Sequence, residues 1–451
     1  MKPDSLEGRK PEVTIVGAGL TGPLLASYLG SRGMNVHLFE RRPDIRKTDI
    51  PAGRSINLAL SKRGLHALKE IGLADKVYDN VIPMKGRLIH QINGTLDFQP
   101  YGKDEWEVIY SVSRAELNRF LLDKAESFGT VSISFQFKCT DVQFSSKQIS
   151  IAEDNSENLK TYSYRTLIGA DGSGSSVRSA MEKQGIVSTT LDPLGHGYKE
   201  LSIPPEASGD FALDPNALHI WPRKSYMLIA LPNADKSFTC TLFLSKNGNP
   251  GFDSVTDSEA ASEWFASAFP DAVSLMPAFL EDWEENPVGE LGTVRCSPWN
   301  ADSSALLIGD AAHAIVPFFG QGMNAAFEDC TILNDLMQNG HSIGKAIAAF
   351  TDIRKADADA IADMALENFI EMRDKVADPE YVKFREMEKR LESEFPEKFI
   401  PRYSMVSFNR IPYSEVQKKG KIQQEIIGLI AERATNDIDL EFAKNLINER
   451  L

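Results

Sequence analysis

Side chains that could transfer protons stand beside a glycine-rich backbone between residues 306 and 330, in the stretch LLIGDAAHAIVPFFGQGMNAAFEDC. Carboxylates and an imidazole are the usual general acids and bases. Glycines shape a backbone to approach a ligand closely. The stretch therefore admits two interpretations, a catalytic acid–base cluster or a cofactor cradle. The first rests on Asp310, His313, Glu328 and Asp329, and the second on Gly309, Gly320 and Gly322.

The segment VGAGLTG has the glycine spacing that is typical of dinucleotide binding, and it lies between a predicted strand and a predicted helix. Gly17 permits a tight turn, Gly19 lets the backbone approach a pyrophosphate, and Gly22 allows close packing of helix on strand. Glu40 ends the next predicted strand, 18 residues after Gly22. An acid at that place accepts hydrogen bonds from ribose hydroxyls. These residues predict a dinucleotide site.

The segments after this unit indicate which dinucleotide binds. A nicotinamide dehydrogenase would continue with further strand–helix–strand units, whereas SYMLIALP and SFTCTLFLS alternate like antiparallel strands. FAD in an extended pose is therefore favoured. We predict an α/β fold: a Rossmann-like FAD-binding domain, an inserted antiparallel β-sheet substrate domain and a helical C-terminal region over the substrate pocket. The predicted boundaries are 1–80, 103–185 and 298–345 for the first, 81–102 and 186–297 for the second, and 346–451 for the third.

Composition excludes several classes of function. The 451 residues carry a net charge of −15, which disfavours nucleic acid and anionic lipid as partners. The N-terminal residues lack the pattern of a signal peptide, and no apolar run approaches the roughly 20 residues of a spanning helix. Four scattered cysteines predict free thiols, and neither they nor the histidines show metal-binding spacing. We expect a soluble cytoplasmic protein without a metal, of unknown oligomeric state.

Three segments in order, VGAGLTG, LIGADGSGSSVR and LLIGDAAHAIVPFFGQGMN, resemble the flavoprotein aromatic-ring monooxygenases that share the fold of p-hydroxybenzoate hydroxylase. The resemblance implies that Asp310 bonds the ribityl chain of FAD and that Arg114 reaches its phosphates. It places Asp171 near the cofactor and links that residue to NADPH, a transient co-substrate because no second dinucleotide motif exists. The predicted cofactor-binding residues are Gly17, Gly19, Thr21, Gly22, Glu40, Arg41, Ala59, Arg114, Asp171, Asp310, Gly322, Met323 and Asn324, the last three through backbone at a helix start.

Further segments resemble one branch of that family, the kynurenine 3-monooxygenases. They are residues 53–64, 87–102, 367–376 and 399–413. The resemblance implies that Arg87, Tyr101, Asn368 and Tyr403 bind substrate. A planar guanidinium suits a carboxylate in a dry pocket. We also expect Pro317, Phe318 and Phe319 to wall the substrate ring, and Met372 to share a helical face with Asn368, four residues before it.

The resemblance implies a reaction. An FAD-dependent monooxygenase would hydroxylate L-kynurenine to 3-hydroxy-L-kynurenine with NADPH and O₂, through a flavin C4a-hydroperoxide, in tryptophan catabolism. The aniline nitrogen activates its own ring, so we assign no catalytic base, and His313 is expected only to pack or bond near the cofactor. Two alternatives stay open: a different amino-acid-like aromatic substrate, or a binding protein without enzymatic activity, against which Asp310 and residues 320–324 argue. Eukaryotic members end in a membrane anchor, whereas residues 417–451 are charged and amphipathic and predict a soluble, bacterial type.

Overall fold

The computed structural model describes residues 11–47, 57–153, 159–376, 378–433 and 438–451, so the start of the 53–64 segment lies outside the described residues. The strands are β1 Val13–Val16, β2 Val36–Glu40, β3 Asn57–Leu60, β4 Ile82–Met84, β5 Gly86–His90, β6 Leu96–Pro100, β7 Ile109–Ser113, β8 Val131–Phe135, β9 Phe137–Gln143, β10 Gln148–Glu153, β11 Leu159–Ser163, β12 Thr166–Gly169, β13 Ser188–Ile203, β14 Ala217–Pro222, β15 Met227–Pro232, β16 Phe238–Ser245, β17 Gly289–Ser297, β18 Asn300–Ala301 and β19 Ala305–Leu307. The helices are α1 Thr21–Ser31, α2 Lys62–Glu70, α3 Ala74–Tyr78, α4 Arg114–Ser127, α5 Ser176–Lys183, α6 Ser258–Ala268, α7 Pro270–Val273, α8 Phe279–Glu285, α9 Asp310–His313, α10 Gly322–Gln338, α11 Ile343–Ile370, α12 Pro379–Glu394, α13 Arg402–Ser407, α14 Tyr413–Arg433 and α15 Leu440–Arg450, with a 3₁₀ turn at Pro317–Phe319 and a π-helical turn at Glu371–Lys375.

The chain divides into two compact units. The first contains residues 1–81, 112–194 and 292–362, and the second contains residues 82–111, 195–291 and 363–451. The three-part boundaries drawn from the sequence stay a prediction.

The first unit is built on a six-stranded sheet in the order β18-β19-β12-β1-β2-β8. Its pairs are parallel except for the edge pair of β18 with β19. The central strands are buried on both faces, which is why VTIV and TLIG are continuous apolar runs. The carboxyl ends of β1, β12 and β19 therefore lie at one edge of the sheet, and each is followed by one of the three motifs.

The second unit is built on a seven-stranded sheet in the order β17-β13-β16-β15-β14-β5-β6. It is largely antiparallel, as expected, but β5 and β14 pair in parallel. The predicted Asn93-Gly94 turn joins β5 to β6, with Gly94 at φ +83°. One face of the sheet packs on α6, α7 and α8 through an apolar core that includes Trp221, Phe265 and Phe269.

The helical C-terminal segments belong to the second unit from residue 363 onward. Helices α12, α14 and α15 share a small core that contains Leu391, Ile426 and Ile447. Within the described ranges, none of the helices combines the length and the apolar character that crossing a membrane requires.

Candidate active site

The glycine turn after β1 has the shape that the sequence predicts. Gly17 has φ +103°, and a Cβ placed on it would overlap the carbonyl of Ala170. A Cβ on Gly22 would overlap the carbonyl of Gly17, so helix α1 packs against the turn without room for a side chain. A Cβ on Gly19, in contrast, would meet nothing within 4 Å. The open space at Gly19 is what an approaching phosphate requires.

Two side chains hold this turn in place. The carboxylate of Glu40, at the end of β2, accepts a hydrogen bond of 2.7 Å from the amide of Ala18. The amide of Asn118, on helix α4, donates to the carbonyls of Gly19 and Ala18 at 2.7 and 3.1 Å. Glu40 was expected at the end of this strand, whereas the contact of Asn118 could not be predicted, because it lies inside an amphipathic helix with no local signal.

The Gly309-Asp310 pair begins a short helix at the end of β19. Asp310 is the first residue of α9, and its side chain is exposed. The backbone carbonyl of Gly309 accepts from the amides of Ala312 and His313 at 2.8 and 2.9 Å. The exposed Asp310 carboxylate is therefore carried by an ordered turn.

The start of helix α10 lies beside the segment that follows β3. Gly320 precedes the helix at φ +66°, a backbone conformation that favours glycine. The amide of Asn324 donates to the carbonyls of Ala59 and Gly320, both at 2.8 Å. Its oxygen accepts from the amide of Ser61 at 3.0 Å. The fully buried Asn324 side chain thus fixes the first turn of α10, where the amides of Gly322 and Met323 have no partner within the helix.

The remaining predicted cofactor residues also lie in the first unit. Thr21 is the first residue of α1 and Arg114 the first of α4, while Arg41 follows β2; both arginines are exposed. Asp171 caps helix α5, since its carboxylate accepts from the hydroxyl of Ser175 at 2.5 Å and the amide of Ser176 at 2.7 Å. Burial raises the pKa of Asp171, and these hydrogen bonds oppose the rise.

The residues of the first unit fit FAD. An open glycine turn, an acid at the end of β2, an exposed aspartate after β19 and the N-terminus of α10 offer the open backbone, acceptors and donors that a dinucleotide of this kind requires. Pro317, Phe318 and Phe319 form the 3₁₀ turn between α9 and α10. Both phenylalanines are buried, whereas Pro317 is exposed. Their predicted contact with a substrate ring stays a prediction.

Arg87 is the centre of a second cluster, in the second unit. Its guanidinium Nη1 lies 3.1 Å from the carboxylate of Glu371, and Nη2 lies 3.5 Å from the side-chain oxygen of Asn368. Burial, the largest single effect, acts to lower the pKa of Arg87, but Glu371 and the neighbouring tyrosines together outweigh it and the pKa is raised. Burial is likewise the largest effect on Glu371 and acts to raise its pKa, but Arg87, a hydrogen bond from Tyr381 and two further arginines together reverse this to a net decrease. Both groups are therefore charged, as a buried ion pair.

Two tyrosines stack over this arginine. The rings of Tyr101 and Tyr403 have centroids 4.9 Å apart and planes within 7° of parallel. The guanidinium of Arg87 lies 5.9 Å from the first ring centroid and 5.4 Å from the second. The Tyr101 hydroxyl is buried and has no hydrogen-bond partner of good geometry among the described residues. A buried donor without a partner is a feature that a bound ligand would satisfy.

Asn368 and Met372 share a face, as predicted from their spacing: the Asn368 amide lies 3.3 Å from the Met372 sulfur. Helix α11 ends two residues after Asn368, and a π-helical turn carries Glu371 and Met372. Such turns are frequent at functional sites. The structure therefore brings together the four polar residues of the predicted substrate set.

Several titratable residues near Arg87 were not predicted from the sequence to belong to this cluster. Tyr381 and Arg385, on α12, both influence the pKa of Glu371, the tyrosine through a hydrogen bond. Arg402 pairs with Glu367. The alternation of acids and bases in α11 and α12 looks like that of a solvated surface, so these contacts carry no signal in the sequence.

The other two acids of the 306–330 stretch, Glu328 and Asp329, form ion pairs inside the protein. The Asp329 carboxylate pairs with His313 at 2.6 Å and with Arg354 at 2.9 Å. Glu328 pairs with Arg63 at 3.1 Å and with Arg354 at 3.4 Å. All five side chains are buried. Within the described residues, no group of three or more His, Cys, Asp or Glu could hold a metal ion.

Comparisons with known proteins agree with this geometry. The FAD binding domain family matches residues 10–365. A 2-methyl-3-hydroxypyridine-5-carboxylic acid oxygenase superposes with a TM-score of 0.64 at 18% identity, covering 89% of this chain and 96% of that one. A probable FAD-dependent monooxygenase from Pseudomonas aeruginosa has a TM-score of 0.65 at 17% identity, covering 83% and 100%. At these identities the likeness shows the fold, and the fold, the site and the family match together define an FAD-binding protein.

Sequence relatives narrow the assignment. The kynurenine 3-monooxygenase of Myxococcus xanthus is 46% identical over 99% of this chain and 96% of its own length. That of Xanthomonas axonopodis pv. citri is 45% identical over 97% of both chains. This chain belongs to the kynurenine 3-monooxygenase family, and the resemblance predicted from the sequence is confirmed.

Proposed function

We propose that this protein is an FAD-dependent monooxygenase that hydroxylates L-kynurenine to 3-hydroxy-L-kynurenine, with NADPH and O₂ as co-substrates. The observation that carries the proposal is the cluster of Arg87, Asn368, Tyr101 and Tyr403, together with the family membership. FAD, when bound, would supply the reducing equivalents from NADPH and the activated oxygen.

Residues of the first unit would hold the cofactor. Glu40 would accept from a ribose hydroxyl, and the open backbone at Gly19 would receive the pyrophosphate. Asp310 would bond the ribityl hydroxyls with its exposed carboxylate. The free amides at Gly322 and Met323 would face the flavin edge and stabilise negative charge there. Arg114 and Asp171 are proposed to act on the FAD phosphates and in the use of NADPH.

Residues of the second unit would hold the amino-acid tail of the substrate. Arg87 and Glu371 present a cation and an anion 3.1 Å apart, a pattern complementary to an α-carboxylate beside an α-ammonium. A charge-assisted bond from a planar guanidinium is strong and directional, so it orients the substrate as well as binding it. The buried Tyr101 hydroxyl could donate to the same carboxylate and gain the partner that it lacks.

No protein base is needed at the reacting carbon. The aniline nitrogen of kynurenine donates electron density to its own ring, so the residues orient the ring and exclude water. His313 is buried and its Nε2 bonds Asp329 at 2.6 Å, so we propose a structural role for it and no role as a base.

The test is NADPH oxidation by the FAD-loaded protein with L-kynurenine, followed by identification of the product. The proposal expects 3-hydroxy-L-kynurenine in proportion to the NADPH consumed. Oxidation that yields only H₂O₂ would mean that kynurenine is an effector and that the substrate is another aromatic amino acid. A purified protein that binds no flavin would instead favour the non-enzymatic alternative.

A further inference from the structure

One carboxylate oxygen in the first unit contacts both ends of the turn that carries Asp310. Asp329 Oδ2 accepts from the amide of Gly309 at 3.1 Å, immediately before Asp310. The same oxygen lies 2.6 Å from Nε2 of His313, the last residue of α9. The four-residue helix α9 is thus held at its N-cap residue and at its last residue by a single atom.

That carboxylate is itself fixed in place. Its other oxygen accepts from Nε of Arg354 at 2.9 Å, and the Asp329 side chain is completely buried. Burial acts to raise the pKa of Asp329, but His313 and Arg354 outweigh it and the pKa is lowered. Asp329 is therefore ionised and acceptor-only, so His313 must carry a proton on Nε2.

Two more contacts hold the same turn from other sides. Nη1 of Arg178, on α5, donates to the carbonyl of Ala311 at 2.8 Å, and the thiol of Cys296 lies 3.2 Å from the carbonyl of Ala312. The ring of His313 packs on Trp299 with centroids 4.9 Å apart. These contacts keep the backbone of α9 in one conformation, while the Asp310 side chain stays exposed.

Asp329 also belongs to α10, the helix whose first amides are proposed to face the flavin. From that helix, Asn324 holds the segment after β3, Glu328 holds Arg63 of α2, and Asp329 holds the turn of α9. One rigid helix thereby sets the relative positions of three segments at the edge of the parallel sheet.

We propose that Asp329 and His313 are positioning residues for FAD binding, which hold the Gly309-Asp310 turn so that Asp310 meets the ribityl chain in a preset geometry. The inference rests on the proposed role of Asp310. Preorganisation of this kind strengthens binding because the turn loses no conformational freedom when the ligand arrives. Neither residue is proposed to touch the cofactor, and each acts through Asp310.

The test is the dissociation constant of FAD for the apoprotein, measured by quenching of flavin fluorescence. His313→Ala removes the donor to Asp329, and His313→Gln keeps an amide donor at a similar place. We expect His313→Ala and Asp329→Asn to weaken FAD binding about tenfold, as the loss of a hydrogen bond to a charged group does. His313→Gln should restore most of the affinity.

A double-mutant cycle with Asp310→Ala separates positioning from general stability. If His313 acts through Asp310, His313→Ala should weaken FAD binding in the parent protein and have no further effect beside Asp310→Ala. Equal effects in both backgrounds would overturn the inference, as would a lowered melting temperature of the apoprotein with unchanged FAD affinity. Asp310→Ala without any effect on FAD affinity would instead refute the proposed role of Asp310.

If Asp329→Asn fails to fold, the two His313 variants are sufficient to test the proposal. That failure is foreseeable, because removing one charge of a buried pair leaves Arg354 without full compensation. His313→Ala and His313→Gln leave the pair of Asp329 with Arg354 intact, and their difference in FAD affinity is sufficient to support or overturn the proposal.

Discussion

The guanidinium Nη1 of Arg87 lies 3.1 Å from Oε1 of Glu371, although the two residues are 284 positions apart in the chain. Strand β5 contributes the cation and the π-helical turn after α11 contributes the anion. Arg87 is buried and Glu371 is only partly exposed, so solvent screens their electrostatic interaction less than that of a surface pair. The proposed substrate-binding arginine is thus held in a single orientation before any ligand arrives.

Arg87→Ala should raise the dissociation constant of L-kynurenine by ten- to a hundredfold, about 2 kcal/mol in binding free energy, because a charge-assisted bond to the α-carboxylate is lost. FAD binding should be unchanged. The measurement is the change in flavin absorbance on titration with L-kynurenine. Arg165→Ala, which removes an exposed arginine of the first unit, is the charge-matched control. An unchanged dissociation constant in Arg87→Ala would refute the substrate assignment.

Tyr101→Phe should weaken the binding of L-kynurenine while leaving the stability of the fold nearly unchanged. The free energy of unfolding should change by no more than about 1 kcal/mol, because the removed hydroxyl is buried and makes no hydrogen bond of good geometry with the described residues. The dissociation constant of L-kynurenine should rise about tenfold, since the ligand loses that donor. Tyr164→Phe is a matched control: its hydroxyl is also buried and unpaired among the described residues, but in the first unit. Loss of stability without loss of binding would contradict the proposed role.

Gly19→Ala should fold and yet fail to bind FAD. Its Cβ meets nothing in the free protein but would stand where a pyrophosphate approaches. Gly17→Ala, in contrast, should lower the free energy of unfolding, because its φ of +103° and the adjacent Ala170 carbonyl leave no room for a side chain. Melting temperature and FAD affinity, measured on both variants, distinguish the two effects. Gly129→Ala, in open space, is the control, and tight FAD binding by Gly19→Ala would exclude this backbone as the phosphate site.

Glu392→Gln should stabilise the protein at alkaline pH. Burial, assisted by Glu107, raises the pKa of Glu392 from 4.5 to about 7. The folded state therefore prefers the protonated acid, and this contribution to stability is present below pH 4.5 and lost as pH rises through 7. Glutamine avoids the loss, so the variant should gain about 2 kcal/mol at pH 8.5 and almost nothing at pH 4.5. The measurement is the free energy of unfolding of the variant and the parent protein, by chemical denaturation at both pH values.

The control for that experiment is Glu394→Gln, an exposed acid two residues further along the same helix. It should have a similar free energy of unfolding to the parent protein at both pH values. A gain for Glu392→Gln that is equal at pH 4.5 and 8.5 would show that the carboxyl is not titrating in this range.

The sequence predicted the cofactor-binding unit well, because its signals are local. Gly17 and Gly22 are required by the turn and the helix that follow them. The arrangement around Arg87 could not be predicted from local sequence patterns. Its partner Glu371 comes from a distant helix end, and no periodicity in either segment indicates that they meet.

In the 306–330 stretch, too, local features were predicted and contacts with distant residues were not. The sequence favoured a cradle over a catalytic cluster, and the exposed Asp310 with the helix starting at Gly322 agrees with that interpretation. The buried partners of Glu328 and Asp329 were not predicted, because Arg63 and Arg354 are far away in sequence and typical of solvated helices. Asp357, in a helix whose charge pattern is typical of a solvated face, is half-buried and pairs with Arg354 at 3.2 Å. Charge pattern alone does not reveal which face of a helix is covered.

The bond from the Ala18 amide to Glu40 limits how this protein could be engineered. A designer who wants a nucleotide with a phosphorylated ribose would first replace the acid at the end of β2, since its charge repels the added phosphate. Here the same carboxylate also holds the glycine turn at 2.7 Å. A neutral or basic substitute would leave the Ala18 amide without its acceptor, so a redesign of cofactor preference has to introduce a second residue that takes over this bond.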